Sequence, residues 1–134
     1  MSDDVVSEIE IAAPIEGVYA MFTDPAQLVR WIGIRAMLEP RPGGQFRFEL
    51  MPGEFCSGRY VELDPPSRVV FTWGWESGAL PVEPGSSTVT VELSRRGEVT
   101  HVQLTHAGLS KPMREHHAAG WANFLPRLKE ATEE

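Results

Sequence analysis

The chain holds a single cysteine, Cys56, so no intramolecular disulfide can form and a disulfide-stapled secreted fold is excluded. No signature of a reactive thiol surrounds Cys56, which reads as a small buried side chain. Basic residues are few: 12 Lys and Arg stand against 19 Asp and Glu, a formal charge of -7. A surface of that sign repels phosphate backbones, and no basic run exceeds Arg95-Arg96, which argues against nucleic acid as a partner. No apolar run approaches the ~20 residues that span a bilayer. The acidic start Met1-Ser2-Asp3-Asp4 lacks the basic and apolar regions of a signal peptide, so the cytoplasm is the expected location. Internal repeats, low-complexity segments and a dividing linker are also missing, and 134 residues fit one domain, 1–134. Hydrophobic residues at 42% and charged residues at 23% supply one core and argue against a disordered chain.

What is present changes period along the chain. From Val5 to Ile11 the apolar residues Val5, Ile9 and Ile11 alternate with Glu8 and Glu10, the pattern of a half-buried strand. Ile15, Val18, Tyr19 and Phe22 then fall at i, i+3, i+4 and i+7, one stripe of a short helix with Pro14 in its first turn. Asp24-Pro25 reads as an N-cap and first helical residue, with Leu28, Trp31 and Ile32 on the inner side of a second short helix. Arg41-Pro42-Gly43-Gly44 is a turn, and Gln45 to Met51 alternates with Phe46, Phe48 and Leu50 on one face. A strand over about Cys56 to Leu63 must end at Asp64-Pro65-Pro66-Ser67, because proline donates nothing to a ladder. Val69, Phe71, Trp73 and Trp75 share one face of the next strand. Ser77 to Ser87 reads as a long hairpin loop, followed by strands over Thr88 to Ser94 and Val99 to His106.

The C-terminal segment is helical. Met113, His117, Trp121, Phe124, Leu125 and Leu128 recur on one side, Ser110 is the expected N-cap, Pro126 is expected to kink the helix, and Ala131 to Glu134 to fray. Short turns between consecutive strands predict antiparallel pairing, and one long amphipathic helix must bury its stripe on the sheet. The expected fold class is α+β: a curved antiparallel sheet of six to seven strands around a long C-terminal helix, with two short helices after the first strand.

Several of these pieces resemble a known family. Ile11-Ala12-Ala13-Pro14 with Val18 and Phe22, then Asp24-Pro25 and Trp31, resemble the start of the START-like (SRPBCC) helix-grip superfamily. The Gly-Gly-Gln-Phe hairpin at 43–46, the run from Gly58 through Asp64-Pro65-Pro66 into Val70-Phe71-Thr72-Trp73, and His106-Ala107-Gly108-Leu109 followed by His117 and Gly120-Trp121 resemble its activator of heat-shock-protein-90 ATPase homologue-like branch. The resemblance implies a helix-grip fold and a cavity for lipids, polyketides or other apolar molecules between sheet and helix. It implies no particular reaction, although some superfamily members are cyclases or hydrolases. A chaperone partner belongs to the members that carry an additional chaperone-binding domain, for which this chain has no room. A homodimer stays open.

Within that frame the aromatic side chains are the first candidates for the site. Trp31, Phe46, Phe48, Tyr60, Phe71, Trp73, Trp75, Trp121 and Phe124 are many large rings for a small chain. Each read alone is core, but ligand pockets are mostly apolar, and some of these rings are expected to line one. His117 shares the stripe of Met113 and Trp121, as either a hydrogen-bonded core histidine or a polar contact for a ligand. His106 is a candidate cap near the start of the long helix. His101 and His106 lie on opposite strand faces, and His116 and His117 about 100° apart on a helix, so no metal or other cofactor is expected. The main expectation is therefore binding of a small apolar or amphipathic molecule, lined by Trp31, Phe46, Phe48, Tyr60, Phe71, Trp73, His117, Trp121 and Phe124. The enzymatic alternative needs His117 beside Tyr60 or Glu62; Glu62 shares the parity of Tyr60, but a solvated face is the expected place for a mid-strand carboxylate. A protein-interaction module is the third reading, with an exposed apolar patch at Ala79-Leu80-Pro81-Val82.

Overall fold

The computed structural model describes residues 4–134, so Met1, Ser2 and Asp3 of the acidic start lie outside the described residues. Seven strands form one curved antiparallel sheet in the order β1-β7-β6-β5-β4-β3-β2. They are β1 (Val5–Ile11), β2 (Arg35–Leu38), β3 (Gln45–Met51), β4 (Glu54–Asp64), β5 (Arg68–Trp73), β6 (Ser87–Arg96) and β7 (Val99–Ala107). The helices α1 (Ile15–Ala20) and α2 (Pro25–Leu28) follow β1, and α3 (Lys111–Glu133) closes the chain. This is the expected α+β architecture, with β2 as a short edge strand that alternation had not revealed.

Local chemistry explains most of the boundaries. The Asp24 carboxylate accepts from the Ala26 N–H at 2.9 Å, the cap expected for α2. The helix is only one turn, and Trp31 and Ile32 are buried by the turn that follows it rather than by the helix itself. Pro14 stands at the N-cap of α1 in extended backbone, one position before the expected first turn. β4 stops at Asp64, where the prolines begin.

Two β-bulges depart from simple alternation. Tyr60 pairs with Phe71 while Glu62 pairs with Val70, so Val61 is an extra residue on β4. The bulge leaves Glu62 exposed and paired with Arg68 at 2.9 Å, on the solvated face expected for it and not at the inward position that the enzymatic alternative needed. A second shift, between Glu49 and Met51, leaves Leu50 as the extra residue of β3.

α3 runs for 23 residues, continuing through Pro126, and buries Met113, His117, Trp121, Leu125, Leu128 and Ala131. Its side chain makes Ser110 no cap: the residue is at the N-cap position without a side-chain hydrogen bond. The C-terminal end is tied down rather than frayed. Arg30 donates to the Ala131 carbonyl at 2.7 Å, and the Glu133 carboxylate accepts from the Ala12 N–H at 2.8 Å, so long-range bonds replace the missing helical turn. The long loop also folds inward. Val82 is buried, Leu80 packs on the core, and the Trp75 N–H donates to the Val82 carbonyl at 2.7 Å, so no exposed Ala79–Val82 patch forms.

Candidate binding site

β5 and its extension carry Trp73 and Trp75 to the inner face of the sheet, and α3 lays His117 and Trp121 against them. Trp73 contacts both: its ring centroid lies 5.2 Å from that of Trp121 and 6.3 Å from that of His117. A narrow crevice of about 80 Å³ remains between helix and sheet, lined by Ile32, Leu50, Trp73, Trp75, His116, His117, Gly120, Trp121 and Phe124. Four expected site residues meet there: Trp73, His117, Trp121 and Phe124. The other five do not. Phe46 stacks on Phe71 with centroids 4.0 Å apart, Phe48 and Tyr60 pack edge-on against Phe46, and Trp31 packs on Phe22. These rings fill the interior that the sequence reading had left hollow, and the crevice is well below the roughly 300–1,000 Å³ of a ligand pocket.

Trp75, a candidate ring left out of the expected lining, completes the crevice with Ile32, Leu50, His116 and Gly120, which were not among the candidates. Trp75 had a usable signal, since it repeats the parity of Trp73. Leu50 alternates with Phe46 and Phe48 in the same way. Gly120 was marked only by the Gly120-Trp121 motif of the family resemblance, because a residue without a side chain leaves no mark in a hydrophobic pattern.

Both inner histidines are fully engaged. The Trp121 indole N–H donates to His106 Nδ1 at 3.1 Å; His106 Nε2 therefore donates to Ser87 Oγ at 2.9 Å, and Ser87 Oγ to the Trp73 carbonyl at 2.9 Å. His106 is thus a core residue and not a cap on the strand end near the start of α3. His117 donates from Nδ1 to the Met113 carbonyl at 2.8 Å and accepts the Trp75 indole N–H on Nε2 at 3.1 Å. Burial, with the neighbouring His117, pushes the His106 pKa down to about 3. Burial also lowers that of His117, against the Met113 carbonyl, which favours the charged form. Both rings are neutral at pH 7.

The convergent pair that acid–base chemistry required is not assembled. The Tyr60 hydroxyl, its pKa raised by burial, donates to the Phe22 carbonyl at 2.8 Å, and Glu62 is on the outer surface. A wider concavity, about 1060 Å³, lies on the opposite face of β3 and β4 from Phe46 and Phe48. It is open, its lining mixes polar and apolar atoms, and its Arg47 and Glu76 pair with each other at 2.7 Å. The buried indoles provide a sharper contrast. The Trp31, Trp75 and Trp121 indole N–H groups each donate a hydrogen bond, whereas Nε1 of Trp73, a residue that lines the crevice, is buried without a partner.

A curved antiparallel sheet closed by one long C-terminal helix, with an aromatic crevice between them, defines a START-like helix-grip protein. The chain belongs to the family described as Activator of Hsp90 ATPase homolog 1-like protein, whose sequence model matches residues 12–133. An AHSA1-like protein from Rhizobium etli is 36% identical, with 99% of this chain and 87% of that one covered at a TM-score of 0.73. The Aha1 dimer from Colwellia psychrerythraea is similar in fold at 23% identity and a TM-score of 0.84, with 97% and 96% covered. An uncharacterized protein from Schizosaccharomyces pombe is 31% identical over 78 residues; the match takes in 56% of this chain but only 22% of that curated relative's length.

Proposed function

We propose that the protein binds a small apolar or amphipathic molecule in the crevice between α3 and the sheet. The observation that carries this reading is the convergence of Trp73, Trp75, His117, Trp121 and Phe124 on one apolar opening. A cavity of roughly 150 Å³ holds benzene, so about 80 Å³ is too small for a closed site of that size. Uptake therefore widens the crevice at its rim. Phe124 is half-buried and His116 exposed, and both turn outward without unpacking the sheet. Titration with apolar aromatic probes, read by tryptophan fluorescence and by native mass spectrometry, tests the reading. Saturable quenching with a one-to-one complex supports it; an unchanged spectrum and mass up to the solubility of the probes refutes it.

A homodimer is the second reading. The Colwellia psychrerythraea relative is a dimer, and here exposed Ile34 precedes the edge strand β2 and exposed Met51 ends the neighbouring β3, 57% and 55% accessible. Light scattering on the purified protein decides it: a monomer mass at every concentration removes this reading.

A further inference from the structure

We propose that the occupant of the crevice is a neutral molecule with a hydrogen-bond acceptor, a carbonyl or ether oxygen, that takes the N–H of Trp73. This rests on the binding reading above and specifies its ligand class. Four tryptophans stand in one protein, and three indole N–H groups have partners inside it, Met21 O, His117 Nε2 and His106 Nδ1. Only Trp73 Nε1 is buried without one, and Trp73 is 3% exposed. A buried donor without an acceptor costs free energy, and an acceptor brought in by a ligand recovers it.

The other polar groups at this wall narrow the class. Both ring nitrogens of His117 are already bonded, so that ring offers no open acceptor for a ligand hydroxyl or amine, and His116 stands exposed at the rim and not against Trp73. A carboxylate would be buried against one neutral N–H, with two uncharged histidines behind it, which does not offset the loss of its hydration. Water fits poorly as well, since a buried water needs two to four polar partners and the inner wall offers one. What remains is a flat apolar body with a single acceptor. Its rings lie against Trp75 and Trp121, and its oxygen meets Trp73.

A matched pair of probes tests this, 1-indanone and indane, which differ by one carbonyl. The readout is the indole region of a nitrogen-15 correlation spectrum of the intact protein, the Trp73 signal being assigned through Trp73→Phe. In the free protein that signal lies upfield of the three bonded indoles. 1-Indanone is expected to move it downfield and to bind roughly fivefold more tightly than indane, the usual net effect of one neutral hydrogen bond. In Trp73→Phe that preference disappears while indane still binds. Equal binding of both probes without a downfield move overturns the ligand class and leaves the binding reading intact. No binding of either probe overturns both. A Trp73 signal that is already downfield in the free protein and exchanges with water assigns the donor to a trapped water and also overturns the class. The wild-type spectra decide the matter even if Trp73→Phe fails to fold.

Discussion

At the scale of single residues, the interior is governed by which polar atoms have partners. Tyr60 and Tyr19 are both buried, yet the Tyr60 hydroxyl donates to the Phe22 carbonyl and the Tyr19 hydroxyl has no partner. Tyr60→Phe is therefore expected to cost about 1–3 kcal/mol, because it strands a buried carbonyl, while Tyr19→Phe is expected to be neutral or stabilising. Urea unfolding of the two variants checks the contrast, and equal losses would contradict it. The histidines add a pH dependence. Their folded pKa values are lowered from 6.5, that of His106 to about 3, so the unfolded chain binds protons that the folded chain refuses. Stability is then complete above about pH 6.5 and is lost as the pH falls toward 3, with a slope of at most ~1.4 kcal/mol per pH unit for each histidine. The urea midpoint should fall between about pH 7 and about pH 5, and less steeply in His106→Gln. An unchanged slope in that variant would remove His106 as a cause. The sequence placed His117 on the apolar stripe but read His106 as a cap, although His106 shares the parity of Val102 and Leu104, and it could not identify the partners of either. Ser87, Trp75 and Trp121 lie 19, 42 and 15 residues away from the histidines they bond, and only the folded sheet brings them together.

Among the elements, the long alternating strands and the C-terminal stripe were legible because a buried face imposes period two or 3.6 on every residue of a long segment. The features that were missed are short or break the period. β2 is four residues at the sheet edge, with no fully buried side chain to mark it. The bulge at Val61 shifts parity by one, so Glu62 changes face without any signal in composition. Helix ends show the same division. Asp24 and Ser110 look alike as caps in sequence, but only Asp24 bonds a backbone N–H. Asp24→Ala is expected to lower stability by about 1 kcal/mol and Ser110→Ala by less than about 0.5 kcal/mol, measured by thermal unfolding. A larger loss at Ser110 would show that its hydroxyl caps α3 in solution.

For the whole molecule, alternation identifies the residues that face inward but not where the helix and sheet fail to meet. That gap depends on how rings from distant strands interlock, which is why Phe46, Phe48, Tyr60 and Phe71 became core while Trp73 and Trp121 reached the crevice. Gly120 links stability to binding at this scale. It lies inside α3, where glycine costs roughly 1 kcal/mol relative to alanine, and nothing lies within 4 Å of an added Cβ. Gly120→Ala should therefore stabilise the fold by about 0.5–1 kcal/mol. Gly120 also lines the crevice, so a longer side chain there is expected to take up part of its space. Gly120→Leu should keep the unfolding temperature of the parent and weaken binding of 1-indanone by about tenfold, because the ligand would have to displace the new side chain. If Gly120→Leu bound the probe as tightly as the parent, the molecule would admit its ligand elsewhere, and the crevice between α3 and the sheet would not be its binding site.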